Sequence, residues 1–256
     1  MDSWIDTGLL PALPAFALIA GIICVAGFMR GFVGFGAALI TVPALSVLIG
    51  PLVAVPVSTI IGLPSLIQLL PEAVRHAERP VVLPIGISVL LATPLGALVL
   101  VKVDPGLMKI IISLLVIIMV AMLMRGWSLA HAPGRAVLIG AGVAGGLVQG
   151  AAGIGGPPVV AVALSRHGEP RQQRANVLGA MTAVSISSFV PFWYHGLLSA
   201  PVLLLGCSLI PFNFVSTWLG SCYFLRAGER HYRSSALLVL AAVGISTLLL
   251  ALRDYS

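Results

Sequence analysis

Arg30 is the residue of this sequence whose chemistry most strongly indicates a binding site. It lies in the stretch GFMRGFVGFG, residues 27–36, between segments that otherwise resemble membrane helices. An arginine at the centre of a bilayer costs at least about 2.5–3.5 kcal/mol on insertion scales. Its guanidinium carries five N–H donors in a fixed fork, which suits an oxyanion. The residue type and its place therefore predict an anion site; the alternative is that Arg30 snorkels to an interface.

Glycines surround Arg30, and the same glycine spacing recurs 119 residues later, with Gln149 at the position equivalent to Arg30. Glycine permits positive φ and close backbone approach, and the N–H groups that begin a half-helix attract anions. Packing of helices through G-x-x-x-G is the alternative for the outer glycines, Gly27 and Gly146 included. The substrate-binding candidates from the two stretches are Arg30, Gly31, Gly34, Gly36, Gln149, Gly150, Gly153, Gly155 and Gly156.

Four further polar residues inside or beside apolar segments are substrate-binding candidates: Ser58, Thr59, Gln68 and Asn176. Asn and Gln are costly in lipid, so each needs a partner there. Serine and threonine often bond to the backbone of their own helix instead, which is the alternative for Ser58 and Thr59.

Composition places these residues in a membrane. The chain is 59% hydrophobic and 9% charged, with a mean hydropathy of +1.11, whereas soluble domains carry about 25% charged residues. At least four segments are long enough to cross a bilayer with almost no charge: 81–101, 107–124, 200–222 and 234–252. The net charge of +6 is spread over loops, so nucleic acid is not an expected partner.

The basic residues predict which side each loop faces. They cluster in residues 71–80, 125–135, 166–174 and 226–233. The positive-inside rule assigns these loops to the cytoplasm and both termini to the outside. The first residues, MDSWIDTG, lack the basic region of a signal peptide, so we expect no cleaved leader.

The two glycine-rich stretches predict two related halves. Residues 136–165 start and end in the cytoplasm, so they enter the membrane and return; residues 15–50 do the same from outside. Three spans follow each hairpin: 52–70, 81–101 and 107–124, then 175–193, 200–222 and 234–252. Because three crossings is an odd number, the second half is inverted relative to the first. We therefore predict an all-α integral membrane protein of two inverted repeats, each a broken or re-entrant hairpin plus three transmembrane helices.

The predicted domains are a first inverted repeat over 1–125, a cytoplasmic linker over 126–135 and a second inverted repeat over 136–256. Inverted-repeat transporters bind substrate near the midplane, where broken helices of the two halves come together. The sequence predicts the same use for the two glycine-rich breaks.

The tandem glycine-rich elements, each followed by an apolar arm (TVPAL or VVAVAL), resemble the sulfite exporter TauE/SafE family, also called toluene sulfonate uptake permeases. The first element differs in having Ala37 and Ala38 after GFG. The resemblance implies a multi-pass secondary transporter of the bacterial inner membrane. It implies alternating access for sulfur oxyanions or organosulfonates, such as sulfite or sulfoacetate-like anions.

Two other function classes remain open from the sequence: a passive anion channel and a membrane-embedded enzyme. An enzyme is not expected, because no group of ionisable His, Asp, Glu or Cys residues lies at one depth. We expect no catalytic residue, no metal and no cofactor, since the three cysteines show no pairing pattern. The expected partners are a small anionic substrate and the lipid bilayer, with a homodimer left open.

The topology predicts opposite labelling of two loops. With Cys24, Cys207 and Cys222 replaced, an impermeant thiol reagent added from outside should label Leu197→Cys and leave Ala130→Cys unlabelled, because only the first loop faces outward. Disruption of the membrane is the control and should expose both positions. Labelling of position 130 alone in intact cells would contradict the topology.

Overall fold

The computed structural model describes residues 13–33, 37–124, 134–164 and 170–227, and every regular element in these residues is a helix. In chain order the helices are α1 (Leu13–Val33), α2 (Ala37–Ile49), α3 (Pro51–His76), α4 (Arg79–Lys102), α5 (Pro105–Met124), α6 (Arg135–Ala152), α7 (Gly156–Leu164), α8 (Pro170–Ser187), α9 (Phe189–Tyr194) and α10 (Ala200–Ala227).

Six stretches within the described helices are long and apolar enough to cross a membrane. They are Leu13–Arg30, Arg79–Lys102, Pro105–Met122, Arg135–Ala152, Ala175–Tyr194 and Ala200–Gly220. The prediction of an all-helical membrane protein is therefore confirmed for the described residues. The predicted last span, 234–252, lies outside them.

Proline and glycine set the ends of several helices. Proline is the first residue of α3, α5 and α8, where its missing N–H has no intrahelical partner in any case. Asp104 caps α5, its Oδ1 accepting the backbone N–H groups of Gly106 at 2.9 Å and Leu107 at 3.1 Å. Gly50, with φ of 80°, turns the chain between α2 and α3.

The described helices fall into two compact units. The first comprises α1, α2, α3 as far as Ile61, most of α5, and α10. The second comprises the rest of α3, α4 and α6 to α9. Each unit therefore combines helices from both predicted repeats, 1–125 and 136–256. Buried aliphatic side chains from α1, α2, α3 and α10 form the core of the first unit: Ile19, Ile23, Leu45, Ala54, Val57, Ile60, Leu205 and Leu209.

In the second unit α6 lies along α4 through a row of glycines. A Cβ added to Gly142 would lie 2.7 Å from the carbonyl oxygen of Ile85, and one added to Gly146 would lie 2.7 Å from that of Val89. Gly150 faces the carbonyl of Thr93 in the same way. In these three contacts the residue number increases in the same direction along both helices. Helices α4 and α6 therefore run parallel and begin on the same side of the membrane. The predicted topology requires the same of them.

In the first unit, α1 makes the equivalent contact with α10. Gly27 lies against Asn213 and Ser216, so that a Cβ at Gly27 would approach Asn213 Oδ1 to 2.9 Å. Gly146, the counterpart of Gly27, lies against Val89 and Ala92. These two residues precede Asn213 and Ser216 by the same 124 residues that separate PLGAL at 94–98 from WLGSC at 218–222. The same contact thus recurs in both units, which supports the predicted internal repeat.

The glycine row predicts a difference between two alanine substitutions on α6. Gly146→Ala should destabilise the protein by about 1–3 kcal/mol, because the new Cβ would press on backbone atoms of α4. Gly140 has no atom within 4 Å of its Cβ position, so Gly140→Ala should be neutral or slightly stabilising through helix propensity. Thermal unfolding of the detergent-solubilised variants measures both. Equal midpoints for the two would contradict the close α4–α6 contact.

Candidate functional site

The second glycine-rich stretch contains a break between α6 and α7. Gly153 ends α6 in the left-handed region, with φ of 65° and ψ of 12°, and its N–H donates to the carbonyl of Gln149 at 2.8 Å. Helix α7 begins at Gly156. Only glycine adopts this left-handed backbone conformation without steric cost, which explains why residue 153 is glycine. The predicted break at Gly153 and Gly155 is therefore present as an interruption of the helix.

Gln149 holds this interruption with its side chain. The residue is 5% exposed. Its Oε1 accepts the N–H of Gly155 at 3.0 Å, and its Nε2 donates to Oγ of Ser188 at 3.0 Å. The Gly155 N–H, which the sequence suggested for an anion, is thus hydrogen-bonded inside the protein.

The start of α7 has few backbone donors. Pro157 and Pro158 carry no N–H, and the Gly155 N–H is bonded to Gln149. The same prolines that enforce the break therefore reduce its capacity for anions. The start of α2 differs, because Ala37, Ala38 and the next residues all carry an N–H.

The candidate glycines around this break also have packing roles. A Cβ on Gly155 would lie 2.6 Å from Gln149 Cβ, and one on Gly145 would lie 3.0 Å from the carbonyl oxygen of Gly155, so α7 folds back closely on α6. Gly156 faces the thioether of Met181, with its Cβ position 3.1 Å from the sulfur. Gly150 packs on α4 as described above. Their part in substrate binding stays a prediction.

Helices α8 and α9 meet at Ser188, whose backbone stays right-handed helical with φ of −78° and ψ of −23°. The intrahelical hydrogen-bond pattern is interrupted here only because Pro191 has no N–H to donate to the carbonyl of Ser187. Pro191 follows in the first turn of α9. The adjacent Ser187 Oγ accepts a hydrogen bond from Thr93 Oγ1 at 2.9 Å and donates to the carbonyl of Val184 at 2.7 Å. Thr93, Ser187 and Ser188 are not among the residues predicted from the sequence. The available signal was a proline inside a predicted span, Pro94 for Thr93 and Pro191 for the two serines.

Arg30 lies in the last turn of α1 and is half-buried. A cation is favourable at this end of a helix, where the dipole is negative. Among the side chains that the structure describes, the acidic ones are Glu78 and Asp104, and each stands just before the first residue of a helix. The described membrane-crossing stretches thus place no carboxylate beside Arg30. Gly31 also lies in this last turn, while Gly34 and Gly36 lie outside the described residues.

Asn213 is a buried polar residue that was not among the predicted site residues. It is 5% exposed, and its Nδ2 donates to the carbonyl of Ile61 at 3.3 Å. Pro64 leaves the carbonyl of Ile60 without an intrahelical donor, so Asn213 binds the neighbouring carbonyl and not the freed one. An asparagine within the predicted span 200–222 was a readable signal, since such residues need a partner in a membrane.

The remaining candidates have mixed outcomes. Thr59 Oγ1 donates to the carbonyl of Val55 at 3.1 Å in its own helix, and Ser58 is half-buried. Asn176 is buried and its Oδ1 accepts the N–H of Glu78 at 2.6 Å, which ties α8 to the start of α4. The side chain of Gln68 lies outside the described part. The described residues contain no group of three His, Cys, Asp or Glu able to hold a metal ion.

The candidate residues of the two units differ in chemistry. In the second unit, hydroxyls and an amide surround a helix interruption without any charge. In the first unit, a guanidinium ends α1 immediately before the glycine-rich stretch that leads to α2.

Comparison with known proteins identifies one family. The model of the family described as Sulfite exporter TauE/SafE matches residues 19–247, which is nearly the whole chain. Searches of curated proteins and of solved structures returned no match.

Proposed function

The chain belongs to the sulfite exporter TauE/SafE family, and from this membership we propose that it is a secondary transporter of sulfur oxyanions or organosulfonates, with sulfite as the first substrate to test. The family and the six apolar helices make it a multi-pass membrane transporter of sulfur anions. Members of this family are transporters and not enzymes. The exact anion and the alternating-access mechanism are the proposed part.

The position of Arg30 carries the proposal. Its charge lies in the last turn of a membrane-crossing helix, and the described membrane-crossing stretches hold no carboxylate to balance it. A bound oxyanion supplies the missing negative charge and accepts two parallel hydrogen bonds from the guanidinium. The N–H groups at the start of α2 follow within a few residues and favour negative charge as well. Arg30 and the first glycine-rich stretch are therefore the proposed anion site.

Ser58 and Thr59 are proposed to contribute to this site. Ser58 and Thr59 lie on α3, the helix that follows α2, and Gln68 lies further along it. The second glycine-rich stretch, with Gln149, is the neutral counterpart of the first. The recurrence of the Gly27 contact at Gly146 supports two repeats. We propose that the copies are inverted and that both termini face outward from the bacterial inner membrane.

Arg30 substitutions test the proposal through affinity. Arg30→Lys should weaken sulfite binding by about tenfold or more, because an ammonium cannot bind two oxygens side by side. Arg30→Gln should weaken it by about one to two orders of magnitude, the usual effect of losing hydrogen bonds to a charged group. Titration calorimetry on purified, folded protein measures both.

Arg135→Gln is the matched control, since Arg135 is an exposed first residue of α6 and the same charge is removed. It should bind sulfite like the unmodified protein. Unchanged affinity in Arg30→Gln, with the unfolding temperature also unchanged, would show that Arg30 snorkels and that the anion binds elsewhere.

A further inference from the structure

One side chain joins two places in the second unit where the intrahelical hydrogen-bond pattern is interrupted, in the first by a left-handed turn and in the second by Pro191. The first is the turn Gly153–Gly155 between α6 and α7, and the second is Ser188 between α8 and α9. Gln149 contacts both, because its Oε1 accepts from Gly155 and its Nε2 donates to Ser188, each at 3.0 Å. Gly155 and Ser188 are 33 residues apart in the chain, so the local effects of proline and glycine on a helix do not by themselves bring them together.

The connection uses most of what Gln149 offers. A glutamine amide has two donor hydrogens and one acceptor oxygen, and the backbone carbonyl of the same residue also accepts the Gly153 N–H at 2.8 Å. Residue 149 therefore satisfies two N–H groups of the turn and one hydroxyl at the other interruption. Because Gln149 and Ser188 are 5% and 0% exposed, water does not easily replace either partner.

The adjacent serine makes a separate connection. Thr93 Oγ1 on α4 lies 2.9 Å from Ser187 Oγ and 2.7 Å from the carbonyl oxygen of Val89, and its one hydroxyl hydrogen is shared between these two acceptors. Ser187 thus holds α8 to α4, whereas Ser188 holds the α8–α9 interruption to the Gly153–Gly155 turn. Two neighbouring hydroxyls of similar burial, 3% and 0% exposed, have different partners.

We propose that Gln149 is a positioning residue that couples the two interruptions, so that the turn and the backbone at Ser188 change conformation together during transport. Residues at helix ends absorb the backbone rotation of such movements, and a hydrogen bond between two of them makes one movement depend on the other. The effect on transport rests on the proposed function, whereas the coupling itself does not. In this role Gln149 sets the rate of turnover and acts on the solute only through the backbone that it holds.

The first experiment measures coupling without transport. Hydrogen–deuterium exchange of the full-length protein is followed in peptides that contain Gly155 and in peptides around Ser188. Ser188→Ala removes the acceptor of Gln149 and should speed exchange near Gly155 by about tenfold, the effect of one lost hydrogen bond. Ser187→Ala is the control and should leave exchange near Gly155 unchanged. Unchanged exchange in Ser188→Ala, or the same increase in Ser187→Ala, would overturn the proposal.

The second experiment measures sulfite uptake into proteoliposomes. Ser188→Ala and Gln149→Met should each change the maximal rate by about fivefold or more, with the sulfite KM within about twofold of that of the unmodified protein, because they alter the movement and not the anion site. If Gln149→Met does not fold, Ser188→Ala decides the outcome. An altered KM with an unchanged maximal rate would make Gln149 a direct ligand and overturn the positioning role.

Failure of the two proposals is distinguishable. If the unmodified protein carries no sulfite, the proposed substrate is wrong, and the exchange experiment still decides whether the interruptions are coupled. If Arg30→Gln abolishes uptake while both Ser188→Ala and Gln149→Met behave like the unmodified protein, the substrate stands and the coupling is wrong.

Discussion

A backbone inside a membrane has to satisfy its own N–H and C=O groups, because lipid offers no hydrogen bonds. Continuous helices do this by themselves, so the constraint falls on the places where this protein interrupts them. At Gly153–Gly155 the side chain and carbonyl of Gln149 accept the freed N–H groups, and two prolines leave fewer N–H groups to satisfy. Elsewhere, the amide of Asn213 donates to the carbonyl of Ile61 on another helix. At the Gly153–Gly155 turn, the polar side chain of Gln149 thus meets a need of the backbone itself.

The two glycine-rich stretches share their helix contacts but differ in their polar residues. Both use glycine to bring a helix close to a partner from the other half of the sequence, Gly27 with α10 and Gly146 with α4. Their polar residues differ, because the position that is Arg30 in the first is Gln149 in the second, and the second stretch starts α7 with prolines. The first stretch thus carries a charge, which we propose serves an anion, while Gln149 in the second bonds to Gly155 and Ser188 inside the protein. A repeated architecture with unequal chemistry suits a transporter that needs one binding site.

Much of the fold was readable from the sequence because it depends on local properties. Long uncharged segments predicted the membrane helices, and Gly153 with Pro157 and Pro158 predicted the break before α7. The partners of these elements were not readable, since Asn176 bonds to a residue 98 positions away and the Gln149–Ser188 bond joins helices that no local pattern connects. For the same reason the sequence assigned Gln149 and Asn176 to the substrate, although the structure gives both an internal hydrogen-bond partner. Asn213 is a different case, because its signal was present in the sequence and was not used.

Counterflow of radiolabelled sulfite tests the central claim, that this chain is a secondary transporter of sulfur anions, most directly. Proteoliposomes loaded with excess unlabelled sulfite are diluted into a trace of the labelled anion, and the label inside is followed over time. The account predicts transient accumulation of label above its outside concentration, with an initial rate that saturates as external sulfite rises, because a carrier returns loaded. Label that only equilibrates, at a rate linear in concentration, would indicate a channel and contradict the account.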